Sequence, residues 1–354
     1  MNILDRYIIR RILGLTALVL VVVLALAVLF TFIGEQGDTG QGRYTALEAF
    51  WYSLMSLPQQ AWELMPIAAL IGSLLGLGSL ASSSELTVAR ASGVSIARLA
   101  AAVFMAGVLL AGFEVVMGEF IAPPMQLAAR QQKAFDRFND ASLGGGAAWV
   151  RDGNRILRVQ QSQDGLRQGG MLVFRLSDDH HLLAVGQAAR AVPAGKHSWQ
   201  LHDYSETRFS GDQVTAHSQA VMPLESNVSG QFLQLAMAEP RELATGALYS
   251  LIRYYQANQL DPRPYLFAFW SRIARTAAIA FAVLLAMPFV MGPLRSSAHG
   301  VRLLTGLLLG IGFFFLQRLI ESGTVVFDLN PVLLAWLPTA LLVTVTLGLL
   351  SRVR

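Results

Sequence analysis

The residues best suited to chemistry in this 354-residue chain are few and widely spaced. Glu85 is the only carboxylate in the polar stretch ASSSELTVARASGVSIARL. Ser82 with Glu85 fits the reciprocal cap in which a hydroxyl and a carboxylate satisfy free backbone N–H groups, so a short helix is predicted near 82–93. Ala91-Ser92-Gly93 is its stop signal. With Glu85, Leu86 and Arg90 on it, this element is one that a cytoplasmic motor could grip; a plain tight connection is the alternative. Arg130, Lys133 and Arg137 recur at i, i+3 and i+7 and share one helical face, which suits an anionic headgroup or simply solvent. Glu114 and Glu119 end an apolar run. A carboxylate in lipid is costly and usually faces a pathway, unless headgroup water reaches it, which is the reading preferred for Glu114. Arg272 and Arg275 are placed to snorkel or to line a wet cavity.

The chemistry that is missing narrows the field. With no cysteine there is no disulfide, thiolate metal site or cysteine nucleophile. None of the six histidines lies in an apolar run, and no G-x-x-x-x-G-K-[ST], H-E-x-x-H or G-x-S-x-G occurs. No aspartate falls within a span, which removes an intramembrane aspartyl pair. The expectation is a protein that is not an enzyme, with no metal site and no cofactor.

The elements that must position these residues are set by lipid. Apolar residues make up 54% of the chain and charged ones only 14%, against about 25% charged in soluble domains. Runs near the 20 residues a bilayer requires are Ile12–Ile33, Leu64–Ala81, Leu99–Gly118, Thr276–Gly292 (lengthened upstream through Phe267), Leu303–Leu316 and Val332–Leu350. The fold class expected is therefore an α-helical membrane bundle of six transmembrane helices, grouped three and three around an insert. Between Met125 and Pro262 the basic and acidic residues balance at 13 each, so the net +4 belongs to the spans and their short connections. That is a topology signal rather than a basic stripe for nucleic acid. Nine arginines (6, 10, 11, 90, 98, 295, 302, 352 and 354) face only Asp5 and Glu85 on one side. The positive-inside rule puts both termini in the cytoplasm and the insert outside. A cleavable signal peptide is not expected.

Within the insert, WVRDGNRILRVQQ, GMLVFRL, HLLAVGQAARAV, HSWQLHDYSETRF and QVTAHSQAVM alternate partly and are separated by Gly and Asp turns. This predicts an all-β antiparallel sandwich or jelly roll, flanked by helices over Met125–Arg137 and Arg241–Gln259. The domains expected are 1–124 with the first three spans, 125–262 with the jelly-roll-like insert and its connecting helices, and 263–354 with the last three spans. Gly72-x-x-x-Gly76, Gly78 and Gly306-x-x-x-Gly310 with Gly312 are small-residue faces for close helix packing, within one subunit or between two.

LDRYI at Leu4–Ile8, GQGRY at Gly40–Tyr44, SEL with RASG at Ser84–Gly93, GEFIAP at Gly118–Pro123, FWS at Phe269–Ser271 and GPLRS with GVR at Gly292–Arg302 resemble the LptF/LptG permease family of lipopolysaccharide export. The similarity covers essentially the whole chain, and GQGRY and GPLRS look closer to the LptG branch. The resemblance implies an ABC exporter half in the bacterial inner membrane that takes lipopolysaccharide from the outer leaflet and borrows its ATPase. The partners it implies are an LptF-like permease, an LptB-like ATPase dimer, an LptC-like membrane protein and an LptA-like periplasmic bridge. It assigns Glu85, Leu86 and Arg90 to ATPase coupling and Arg130, Lys133 and Arg43 to the lipid headgroup. Leu26, Phe30, Phe313 and Phe314 would line the lipid cavity. One departure stands out. Where the LptG branch commonly has lysines after the first span, residues 31–38 read TFIGEQGD, with Glu35 and Asp38. A membrane scaffold that anchors a β domain for envelope assembly, without transport, is the alternative function.

Overall fold

Long uncharged runs fold as helices here because a helix satisfies every backbone hydrogen bond within its own segment. The computed structural model describes residues 3–137, 147–160, 170–179, 181–195, 198–210, 213–226, 228, 232, 239–291, 308–313, 315–320 and 329–352. Helix α1 (Ile3–Glu35) leads through a 3-10 turn (Gln36–Asp38) to α2 (Ala46–Met55). α2 is a separate amphipathic helix, and a cap between Thr45 and Glu48 starts it. There follow α3 (Leu57–Ser82), the short α4 (Glu85–Ala91) and α5 (Ile96–Val116). α5 does not stop. A π turn (Met117–Ile121) carries it into α6 (Ala122–Arg137), so one helical column runs from the bundle towards the β domain.

The insert folds into one antiparallel sheet: β1 (Ala147–Asp152), β2 (Arg155–Gln160), β3 (Met171–Leu176), β4 (Leu182–Pro193), β5 (Ser198–Ser210) and β6 (Gln213–Glu225). The first predicted run is in fact a hairpin, turning at Gly153 with φ +59°, where glycine avoids the clash a side chain would meet. The strand order is sequential, β1 to β6, so among the described residues the strands form a meander and not the expected sandwich or jelly roll. Val150, Leu157, Val159, Met171, Val173, Trp199, Leu201 and Leu224 bury one face. The return path is a 3-10 turn (Pro240–Glu242) and α7 (Thr245–Ala257), not one helix from Arg241.

Helices α8 (Arg263–Met291), α9 (Leu308–Ile320) and α10 (Pro331–Leu350) complete the chain. Five helices are long and apolar enough to cross a membrane: α1, α3, α5 with its continuation, α8 and α10. The fifth expected span overlaps α9, of which residues 308–313 and 315–320 are described, so five of the six expected spans reach that length among the described residues. Close approaches hold the bundle. A methyl group at Gly72 would collide with the Thr16 backbone on α1, and one at Gly76 would lie 3.3 Å from Ile12 Cα. At Gly107 it would lie 2.7 Å from Ala280 Cα, so α5 and α8 also meet backbone to backbone. The Gly72/Gly76 face thus packs within the chain. Gly310 lies against Leu70, Gly312 and Gly78 face open space, and Gly306 lies outside the described residues.

Candidate functional site

Three groups of polar residues stand out. Two lie at the end of the bundle that faces the sheet, and one at the opposite end.

At the opposite end, α4 starts later than predicted and is capped differently. Ser84, with φ +59°, immediately precedes α4 and makes no side-chain cap. Ser82 bonds back to the Ser79 carbonyl, while Glu85 accepts from the Ser83 hydroxyl at 2.7 Å. The Ser82–Glu85 capping box is therefore not formed. The stop is as expected: Gly93 (φ +90°) donates to Arg90 O and Val94 to Ala89 O, the paired closure that satisfies the last carbonyls. Leu86 and Ala89 are buried, and Leu86 joins the core cluster of α3 and α5, so it anchors the helix. Glu85, Val88 and Arg90 are exposed. Hydrogen bonds from Ser83 and then Tyr7 hold the Glu85 carboxyl below its ordinary range, so it stays ionised at neutral pH. An apolar Val88 between two charges is a contact feature that the charged residues alone did not reveal.

At the sheet side, Lys133 and Arg130 leave α6 in different directions. Lys133 Nζ lies 2.6 Å from Glu35 Oε2 and 3.0 Å from Asp38 Oδ2, and 5.0 Å from the centroid of the Tyr52 ring. Buried Tyr44 donates its hydroxyl to the same Glu35 oxygen at 2.8 Å. The two carboxylates that replace the expected lysines are thus neutralised by a lysine from another helix. Arg130 Nη2 reaches Glu242 Oε1 at 2.5 Å and Glu239 Oε1 at 3.4 Å, in the return path. Burial outweighs that arginine and pushes the Glu242 carboxyl up, whereas Glu239 is held low by Arg241 and Arg130 despite its burial. Arg43 is exposed, and its N–H donates to Asp136 O at 2.6 Å. Arg130 and Lys133 are therefore neighbours along α6, each holding carboxylates of its own chain, whereas Arg43 comes from the loop before α2. Of the cavity candidates, Phe30 (68% exposed) and Leu26 project from α1. Phe313 leans on the bundle core, and Phe314 lies outside the described residues.

The third group joins residues far apart in sequence around Trp62. Arg272, only 6% exposed, donates to Leu243 O at 2.6 Å and to Gly118 O, and its Nε lies 3.3 Å from Glu119 Oε1. Glu119 also accepts from the backbone N–H and the hydroxyl of Thr245, capping α7. The guanidinium carbons of Arg272 and Arg275 lie 4.5 and 4.1 Å from the Trp62 ring centroid. Gly118 leaves no room for a Cβ beside the Trp62 ring. Glu114 is 1% exposed and accepts from Thr276 at 2.7 Å, so it is a buried carboxylate and not one wetted at the surface. Among the described residues, Glu114 Oε1 and Arg275 Nε and Nη1 have no hydrogen-bond partner. Nor does snorkelling describe Arg272, which points into the protein.

No group of three or more metal-type ligands occurs among the described residues. Membrane-spanning helices joined to a β-sheet domain, with polar side chains gathered at both ends of the spans, define a polytopic membrane protein. The lipopolysaccharide export system permease LptF/LptG family matches residues 6–352, and the chain belongs to this family. It is 30% identical to the lipopolysaccharide export system permease protein LptG of Escherichia coli (strain K12), over 99% of this chain and 98% of that protein. It is 26% identical to the protein of the same name from Haemophilus influenzae, over 100% and 99% respectively.

Proposed function

We propose that this chain is one transmembrane half of an ABC exporter that extracts lipopolysaccharide from the outer leaflet of the bacterial inner membrane and passes it to a periplasmic bridge. ATP is hydrolysed in a separate LptB-like dimer, and the second permease half is LptF-like. An LptC-like membrane protein and an LptA-like bridge receive the lipid. Both termini and α4 face the cytoplasm, and residues 125–262 form the periplasmic domain between helical domains at 1–124 and 263–354.

The observation that carries this reading is the construction of α4. Leu86 and Ala89 lock it to the bundle core, while Glu85, Val88 and Arg90 are free to meet another protein. An element so fixed transmits a push into α3 and α5 instead of absorbing it. Arg130 and Lys133 meet the phosphorylated headgroup by exchanging their carboxylate partners for phosphate, to which charge-assisted bonds are strong, and exposed Arg43 adds a third positive charge. Leu26, Phe30 and Phe313 line the acyl chamber shared with the partner permease.

The test is reconstitution in vesicles. Copurification of a P-loop ATPase, with ATP-dependent release of lipopolysaccharide to a soluble β bridge, is expected. A chain that binds no ATPase and releases no lipid is a scaffold.

A further inference from the structure

The Trp62 group lies where the β domain joins the spans, and its bonds run in one direction. Pro123 and Pro124 have no N–H to donate, so carbonyls in the preceding π turn lose their helical partners. Arg272, from α8, takes the Gly118 carbonyl. The same guanidinium holds Leu243 O, at the foot of the return path, and pairs with Glu119. Glu119 in turn fixes the first residue of α7 through Thr245. Near the far end of α7, the Tyr254 hydroxyl donates to Arg151 O on β1, and the Tyr254 ring packs on Phe232 beside the sheet core. On its other flank Arg130 clamps Glu239 and Glu242 to α6. A contiguous series of buried and part-buried bonds thus leads from a membrane span to the first strand.

We propose that Arg272 is a positioning residue for lipid transfer. Through Glu119, Gly118 and Leu243 it locks α8, the π turn and α7 into one lever, so that movement of the spans is delivered to the β sheet. A guanidinium suits this task because its planar fork serves three acceptors at once in fixed directions, which an ammonium cannot do. Burial keeps the joint stiff, since any slip strands a charge without a partner in a low-dielectric site. The proposal rests on the transport reading above.

The experiment uses the complete transporter in vesicles. The chain contains no cysteine, so Gly34→Cys at the end of α1 and Ser218→Cys on β6 place two unique spin labels; both positions are exposed. Interspin distances are measured without nucleotide and with ATP trapped, beside ATPase and lipid-transfer rates. In the otherwise unaltered chain the distance should shift with nucleotide. Arg272→Lys should abolish that shift and lower lipid transfer by about tenfold, with ATPase activity within about twofold of the parent, because charge is kept while the fork is lost. Glu119→Gln should act in the same direction, and it carries the test if Arg272→Lys fails to assemble. The joint is overturned if the distance ignores nucleotide in the parent, or if both variants keep the shift and the transfer rate. It is equally overturned if ATPase falls as far as transfer in an assembled complex. Absence of lipid transfer in the parent would remove the transport reading, while the distance measurement would still decide the joint.

Discussion

The Lys133 ammonium lies 2.6 Å from Glu35 Oε2 and fastens α6 to the end of α1. Glu35 is the last residue of α1, whose final turn has no basic side chain. A carboxylate there opposes the negative end of the helix dipole, and Lys133 supplies the missing counter-charge from outside the helix. An anionic ligand must therefore outcompete a carboxylate that is already in place.

That competition sets the first expectation. Charge-assisted contacts contribute about 1.5–3 kcal/mol each, so Arg130→Glu with Lys133→Glu should reduce lipopolysaccharide capture by at least about tenfold. Basal ATPase activity should persist. Capture is read with a photocrosslinker at position 133 in an exporting complex, and a crosslinker there that never takes up lipid would refute the placement.

Glu85 should behave differently. It is fully ionised and exposed on a helix that Leu86 fixes to the core. Glu85→Ala should leave membrane insertion intact and weaken ATPase copurification or ATP-driven transport several-fold. Unchanged copurification and transport together would exclude α4 as the coupling element.

Orientation is open to a direct check. A reporter fused at Gly195, next to the β4–β5 turn, should be active only in its periplasmic form, and reporters at both termini only in their cytoplasmic form. A cytoplasmic signal at Gly195 would invert the whole scheme.

Acid should loosen the sheet through Glu206, which is 3% exposed. Burial alone would raise its carboxyl, but hydrogen bonds from Arg208 and Tyr204 and the nearby Arg175 charge outweigh burial and hold it below the ordinary 4.5. Burial and the bond to Glu206 push the Tyr204 hydroxyl up to about 12, so it remains a donor throughout the experiment. A depressed carboxyl contributes stability above its unfolded value and loses it as pH falls through its folded value. Thermal unfolding of the purified chain should thus show a loss below pH 4.5. Glu206→Gln should flatten that loss and cost about 1.5–3 kcal/mol at neutral pH. Identical pH profiles for the two proteins would count against this assignment.

How much of this could be read from the residues depends on the range of the interaction involved. Spans and strands were legible because lipid demands contiguous apolar runs, and Gly153 and its like mark turns locally. The strand order was not legible: local alternation fits a meander and a jelly roll equally, and only long-range pairing decides. Three successive serines at 82–84 compete for one role, and where α3 ends settles it in favour of Ser83 as the partner of Glu85. The basic face of α6 was visible at its i, i+3 spacing. Its partners Glu35 and Glu242 come from remote segments, so their occupation of Lys133 and Arg130 was not. At Trp62, Glu119, Arg272 and Arg275 stand out one by one in the sequence, but their meeting does not, since the members of the joint come from α3, the π turn, the return path and α8.

The two backbone-to-backbone seams also set an order of assembly. Thr16 and Gly72 belong to spans that follow one another closely in the chain, so that seam can close while synthesis continues. Gly107 must wait for Ala280, and the entire sheet lies between them in the chain. Contacts that close such long loops form late. The newly made α5 therefore spends its early life without its mate, and the strands can fold while the bundle is still half built.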